Sequence, residues 1–221
     1  MKIKDANLIT GKLSNPDKMP CKAYNIPADE CKVGSKLAEV KGSACYDCYA
    51  KKGRYVFPNV KSAMYRRLDS ISRQNWVQAM VVLISKQSPN FFRWHDSGDL
   101  QSLSHLKKIV EVCEKTPSVK HWLPTREYRM VMKYLTEFGN FPKNLIVRVS
   151  IHMVDDFRQP NIPNVQFSGI AKSEYESIPS DAHICPAEKQ KVKLKNGKMS
   201  GPRCGDCRKC WGDSFVIYPH H

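Results

Sequence analysis

Apolar and polar positions alternate along this chain in two rhythms. Residues 59–73 and 75–85 read as helices, and beyond them short strand-like runs alternate with helical patterns. The strands are 91–95, 119–123, 145–151, 165–168 and 182–184. Two amphipathic helices lie between the first three strands. Leu103, Leu106, Ile109, Val110 and Cys113 share one face at spacings of three and four. Tyr128, Val131, Met132, Leu135 and Phe138 share another, which Gly139 ends. Strand starts at Phe91, Val119, Leu145, Val165 and His183 recur at steps of 28, 26, 20 and 18 residues. That is the beat of βα units, so an α/β fold with a mainly parallel sheet is expected. The later steps are too short for full helices, which points to a partial or degraded TIM-like barrel. No low-complexity segment or long linker interrupts the pattern. A single domain over 1–221 is expected, with a cysteine-rich segment at 1–58, the βα core at 59–184 and a second cysteine-rich segment at 185–221.

In such folds function collects in the loops after the C-terminal strand ends. His95-Asp96-Ser97-Gly98-Asp99 follows the first predicted strand, Pro124-Thr125-Arg126 the second, and Ser150-Ile151-His152 with Asp155 and Asp156 the third. Three polar clusters at one end of one sheet would line a pocket, with Asp96, Asp99, Arg126 and His152 as candidate catalytic groups. Asp96, Ser97 and Asp99 are also the residue types that cap a helix or close a turn.

A chain of 221 residues with 41% hydrophobic and 10% aromatic content buries one sizeable core, which excludes a disordered tail, a stapled mini-protein and a collagen-like repeat. The longest apolar run, Ala79 to Ile84, falls far short of the roughly 20 residues of a membrane span, so no membrane partner is expected. Residues 1–20 lack the continuous apolar stretch of a secretory signal. The expected location is the cytoplasm, the host's if the protein is viral, where dense cysteine means metal or redox chemistry more often than disulfides.

The nine cysteines divide four, one and four. Cys113 falls on the apolar face of its helix and reads as a small core hydrophobe. Cys185 is followed by proline, and Cys204-Gly-Asp-Cys207-Arg-Lys-Cys210 joins two CxxC steps through a shared cysteine. A tight turn of this kind directs three thiolates at one centre, as in ferredoxin-type [4Fe-4S] sites, while four thiolates around zinc account for the same residues. The N-terminal group, Cys21, Cys31, Cys45 and Cys48, is looser, and only Cys45-Tyr-Asp-Cys48 is a strong local signal. Gly34, Gly42 and Gly53 provide a loop able to wrap an inorganic centre, and Cys31, Cys45 and Cys48 are the stronger ligand candidates.

The formal charge of +15 is uneven. Residues 51–73 hold Lys51, Lys52, Arg54, Lys61, Arg66, Arg67 and Arg73 against Asp69 alone, and 186–210 holds eight basic residues against Glu188 and Asp206. Three accounts are open: nucleic-acid binding, with Tyr55, Phe57, Tyr65 and Trp211 available for stacking; compensation of an anionic thiolate cluster; and a solvated basic face.

Several of these segments together resemble the phage gene product 88 family: Gly34-Ser-Lys-Leu, Gly42-Ser-Ala-Cys45-x-x-Cys48-Tyr-Ala, Lys52-Gly-Arg-Tyr, Phe92-Arg-Trp-His-Asp-Ser-Gly-Asp99 and Cys204-Gly-Asp-Cys-x-x-Cys210-Trp. The resemblance covers most of the chain and implies a viral origin. A more distant resemblance is to radical S-adenosylmethionine enzymes. Cys45-x-x-Cys48-Tyr-Ala is similar to the end of their cysteine motif, and Ser97-Gly98-Asp99 to the turn that contacts the cofactor's amino group. Val147 to His152 is similar to their fourth-strand segment, and the C-terminal cysteines to auxiliary-cluster motifs. The compact CxxxCxxC of that superfamily is absent, since thirteen residues separate Cys31 from Cys45. This second resemblance implies a [4Fe-4S] cluster that reduces the sulfonium of S-adenosylmethionine to start radical chemistry. Ser97, Gly98, Asp99, Arg126, Arg148 and Ser150 would then be cofactor or substrate contacts.

Two functions are therefore expected. One is an iron–sulfur protein with one or two clusters on Cys31, Cys45, Cys48, Cys185, Cys204, Cys207 and Cys210, acting in redox or radical chemistry with a small-molecule or electron-transfer partner. The other is a zinc-stabilised nucleic-acid-binding phage protein without catalysis.

Overall fold

A computed structural model describes residues 1–88, 90–172, 178–190, 199 and 201–220. The helices are α1 (Ile3–Thr10), α2 (Lys32–Leu37), α3 (Pro58–Ser70), α4 (Trp76–Gln87), α5 (Leu103–Glu114) and α6 (Tyr128–Phe138). The strands are β1 (Ala23–Tyr24), β2 (Phe91–Trp94), β3 (Lys120–Thr125), β4 (Leu145–Ser150), β5 (Gln166–Ala171), β6 (His183–Ile184) and β7 (Val216–Pro219). They form one sheet in the order β1-β2-β3-β4-β5-β7-β6, and every neighbouring pair is parallel. The α/β class and parallel sheet are as the sequence predicts. Two strands, α1 and α2 are additions: β1 lies upstream of every predicted strand, α2 falls where a loop was expected, and β7 runs beyond the last cysteine to lie between β5 and β6.

Period-two alternation separates the two faces of the sheet. Phe92 and Trp94 of β2, Leu123 of β3, Leu145, Val147 and Val149 of β4, Phe167 of β5 and Ile217 of β7 join one apolar core. That core includes Trp76, Met80 and Ile84 of α4, Leu106, Ile109 and Cys113 of α5, and Val131 and Tyr134 of α6. Cys113 is fully buried there, in keeping with its place on the apolar stripe. Helices α4, α5 and α6 lie side by side, and α1 docks outside α4 through Ala6, Ala79 and Leu83. The intervening positions, Arg93, Trp122, Pro124, Arg148, Ser150, Ser168, Ile170 and Tyr218, fall on the opposite face. Neighbours in register share that face: Arg93 with Trp122, Pro124 with Arg148, Ser150 with Ser168, and Ile170 with Tyr218.

Among the described residues, no α-helix packs on the centre of this second face. The 3-10 turn Lys209–Trp211 packs on β3 and β4 instead. Trp211 is 5% exposed, its ring lies 5.3 Å from both Phe91 and Trp122, and its indole N–H donates to the Phe92 carbonyl at 2.9 Å. Trp211 is thus a core residue of this face and not the exposed stacking platform that the charge pattern suggested. Among the described residues, no helix is long and apolar enough to cross a membrane.

Candidate functional site

On this second face, at the C-terminal ends of the strands, lies a cavity of about 530 Å³. Its walls come from β2, β3, β4, β5 and β7, from the connection after β1, and from the C-terminal loop. Cys31, Cys45 and Cys48 line it from the N-terminal segment, and Cys185, Cys204 and Cys210 line it from the C-terminal one. Two cysteine groups more than a hundred residues apart in sequence therefore open into one chamber.

The connection after β1 explains how widely spaced cysteines meet. Cys31 precedes α2, whose Val33 N–H donates to the Glu127 carboxylate at 2.9 Å. The chain then doubles back. Ala44 N–H donates to the His152 carbonyl at 2.8 Å, and Val154 N–H donates to the Gly42 carbonyl at 2.9 Å. The thirteen-residue spacer is thus a short helix and a returning turn segment with one bridge, Ser43 to Met153, pinned at both ends by the loops after β3 and β4. Gly34 sits at the closest approach: a Cβ there would lie 3.6 Å from both the Cys31 and Cys45 sulfurs and 3.0 Å from the Cys31 Cβ. Burial pushes the thiols of Cys31 and Cys45 up; the Asp99 carboxylate adds to this at Cys31, and the Arg126 charge opposes it at both.

Ser97-Gly98-Asp99 is locked beside these thiols. The Ser97 hydroxyl donates to the Ile26 carbonyl at 3.1 Å, and Ile26 N–H donates to the Ser97 carbonyl at 3.0 Å. Gly98 has φ +79°, and a Cβ would lie 2.7 Å from the Ile26 carbonyl oxygen, so the turn requires glycine. Asp99 accepts from the Thr125 hydroxyl at 2.6 Å, from Leu100 N–H at 2.7 Å and from Arg126 N–H at 2.8 Å. Burial raises its carboxyl to about 6 against the pull of these three donors. Asp96 accepts from Tyr55 at 3.0 Å, Ser14 at 3.2 Å and Asn25 at 3.3 Å, and its carbonyl accepts from Tyr49 at 2.5 Å.

The C-terminal thiols are held by a separate framework. Cys204 N–H donates to the Lys18 carbonyl at 2.9 Å, and its sulfur lies 3.9 Å from the Met19 sulfur. The Cys210 sulfur lies 3.2 Å from the Tyr218 hydroxyl, and burial pushes its thiol up to about 11. Cys207 does not line the cavity; its sulfur lies 3.3 Å from Nε2 of His183, a residue that the sequence pattern did not single out. Cys21, the weakest N-terminal candidate, sits with this group instead, where burial pushes its thiol up to about 12 and the neighbouring Cys204 adds to the rise. All nine cysteines are free thiols. Among the described residues no three His, Cys, Asp or Glu side chains converge tightly enough to hold one metal ion.

The remaining candidates divide. Asp96, Ser97, Gly98, Asp99, Arg126 and Ser150 all line the cavity. His152 and Arg148 do not. The His152 ring stacks on Tyr128 at 4.3 Å, and its Nε2 faces the Arg126 carbonyl at 3.3 Å. Arg148 has the expected facing, but the loop 209–214 closes over it, and its guanidinium donates to five backbone carbonyls: Phe167, Lys209, Cys210, Gly212 and Ser214. Its role is to fasten the cysteine loop. Asp155 and Asp156 lie off the cavity as well, Asp156 paired with Arg158 at 2.9 Å.

The basic stretch at 51–73 is largely engaged within the chain. Lys51 and Lys61 pair with Asp29, Lys52 with Asp47 and Arg54 with Asp17. Arg67 donates to Lys12 and Asn25, and Arg73 donates to the Leu8 and Ile9 carbonyls. In the second basic stretch Lys191, Lys193, Lys195 and Lys198 lie outside the described residues.

No curated protein and no solved structure matches this chain. The Gene product 88 family model, in contrast, matches residues 2–213. That span takes in both cysteine groups and all three strand-end loops of the cavity, and the chain belongs to the phage Gene product 88 family.

Proposed function

We propose that this protein is an iron–sulfur enzyme whose cavity is a redox or radical reaction chamber. The observation that carries the reading is the opening of two thiol groups into one cavity at the C-terminal end of a parallel sheet. Cys31, Cys45 and Cys48 would hold one [4Fe-4S] cluster, and Cys185, Cys204, Cys207 and Cys210 a second metal centre. A zinc ion draws each thiolate to about 2.3 Å from a single point, whereas a cluster spreads its thiolates over several irons. Thiols set around a cavity wall suit the second arrangement better. The close approach of Gly34 to two of the sulfurs, where a side chain would crowd them, is a further point of fit.

A cluster bound at the N-terminal thiols would supply single electrons, and S-adenosylmethionine is the proposed acceptor. The chain's own residues define the rest. Ser97-Gly98-Asp99 holds a carboxylate and a backbone turn beside the thiols, Arg126 brings a positive charge to the same end, and Ser150 adds a hydroxyl at the end of β4. We read the sheet as a partial barrel, because segments flanking its two ends approach each other. Lys18, upstream of β1, accepts from Cys204 and lies 3.5 Å from Glu188, downstream of β6.

Anaerobic purification followed by iron, sulfide and zinc analysis tests the reading. Iron with acid-labile sulfide in a coloured protein is expected. A colourless protein holding zinc without iron or sulfide would overturn it in favour of the zinc-stabilised nucleic-acid-binding alternative.

A further inference from the structure

Two guanidiniums face the cavity, and among the described residues neither has a carboxylate within ion-pair distance. The lysines of the cavity differ: Lys18 pairs with Glu188 and Lys51 with Asp29. Arg126 stands beside the N-terminal thiols, where its charge offsets Cys31 and Cys45. Arg93 stands on the other side. Its charge is felt at Cys21, Cys204 and Cys210, and its guanidinium carbon sits 4.4 Å over the Trp122 ring. Its Nε is buried without a partner, and its Nη1 reaches only the Met19 sulfur at 3.6 Å, a weak acceptor. The nearby Asp96 carboxylate is turned to three neutral donors, Ser14, Asn25 and Tyr55.

Burial penalises this charge and the nearby Asp96 and tyrosines offset that, but among the described residues no carboxylate meets the donors of the fork itself. The contact with Trp122 holds the guanidinium at the cavity wall, and a planar guanidinium suits a bidentate acceptor. We propose that Arg93 anchors the anionic group, a phosphate or a carboxylate, of a small-molecule substrate in the half of the cavity next to Cys204 and Cys210. A volume of about 530 Å³ suits a small metabolite, which enters with its anionic end on Arg93 and its reacting end toward the N-terminal thiols. The inference rests on the cavity being the reaction chamber proposed above and names the substrate class that this chamber takes.

The test uses the full chain, purified anaerobically with the metal it carries, and isothermal titration with inorganic phosphate in one arm and malonate in the other. The arm that binds identifies the anion. Arg93→Gln is expected to weaken that binding roughly tenfold to a hundredfold at unchanged iron per chain, with Arg93→Lys in between. Equal affinity in Arg93→Gln, or binding of neither anion by the native chain, overturns the proposal. Loss of iron in Arg93→Gln also overturns it, because the charge then serves the thiolates. So does loss of anion binding on prior saturation with S-adenosylmethionine, which moves the anion to that molecule's own carboxylate. Should Arg93→Gln not fold, Arg93→Lys carries the same comparison. Iron-free protein that still binds the anion through Arg93 would sink the cluster reading and leave this assignment standing.

Discussion

Arg148 of β4 donates to the Gly212 carbonyl at 2.7 Å from a side chain with no solvent exposure. A strand at the middle of the sheet thereby holds the loop that carries Cys204, Cys207 and Cys210. Four further carbonyls accept from the same guanidinium, those of Lys209, Cys210 and Ser214 in the loop and of Phe167 in β5, so one side chain ties the loop's backbone to the sheet.

Arg148→Met leaves those carbonyls buried without donors, and a loss of about 3–5 kcal/mol of unfolding free energy is expected. Denaturant unfolding measures it. A loss below about 1 kcal/mol would mean that water replaces the guanidinium and that the loop does not depend on it.

Gly98 and Gly53 separate two effects of a methyl group. Both have positive φ, +79° and +55°, but a Cβ at Gly98 meets Ile26 while one at Gly53 meets nothing within 4 Å. Gly53→Ala carries backbone strain alone and is expected to cost about 1 kcal/mol. Gly98→Ala adds a backbone collision, and about 3 kcal/mol or more is expected, with loss of the proposed cluster because Asp99 and Arg126 shift with the turn. Parallel unfolding curves of the two variants check this. Equal costs would show that β1 yields freely to the turn.

Strands β2, β3 and β4 were readable because each is a short apolar run between turn residues, and α5 and α6 because their faces repeat at three and four. β1 was not, since two residues, Ala23 and Tyr24, carry no period. The three strand-end clusters could be listed from sequence, but Arg148 and Ser150 look alike there: both sit on the cavity side of β4, and only a loop from sixty residues downstream covers the first. The pairing of the basic stretch was also hidden: a count over residues 51–73 cannot register Asp17, Asp29 and Asp47, which lie outside it and pair with its basic side chains. The division of the cysteines was plain; the return of the Cys31–Cys45 spacer onto His152 and Glu127 was a tertiary fact.

Asp99 and the buried histidines bend the pH dependence of stability in opposite directions. Asp99 is held at about 6, above its ordinary 3.8, so between those values the folded chain binds the extra proton. Its contribution is fully present below about 4 and lost as pH rises through 6, by about 3 kcal/mol at most. His105 and His121 are depressed by burial to about 3 from 6.5, so theirs is present above 6.5 and lost as pH falls. The wild-type curve sums both trends. The difference between wild type and Asp99→Asn isolates the first, and unfolding free energies at pH 4, 5, 6 and 7 should give a difference that shrinks as pH rises. A difference that is flat or grows would show that Asp99 titrates as an ordinary carboxylate.

Single cysteine variants separate the two thiol groups from the core thiol. Cys113 is fully buried in the apolar core away from the cavity, so Cys113→Ala should keep all metal and cost about 1–2 kcal/mol for the space it leaves. Cys45→Ser removes a sulfur from the pair that faces Gly34 and should abolish the iron of the proposed N-terminal centre while unfolding stays close to wild type, because α2 and the returning segment keep their bonds to Glu127 and His152. Cys204→Ser strikes a loop fastened to Lys18 and, through Arg148 and Trp211, to the sheet. A metal held there, as proposed, would tie the two ends of the chain together, so its loss should lower both metal content and the unfolding midpoint. Iron and sulfide per chain, measured beside unfolding for all three variants, give the pattern. Identical losses from Cys45→Ser and Cys204→Ser would point to one shared centre in the cavity, and retention of full metal by either would remove that cysteine from the ligand set.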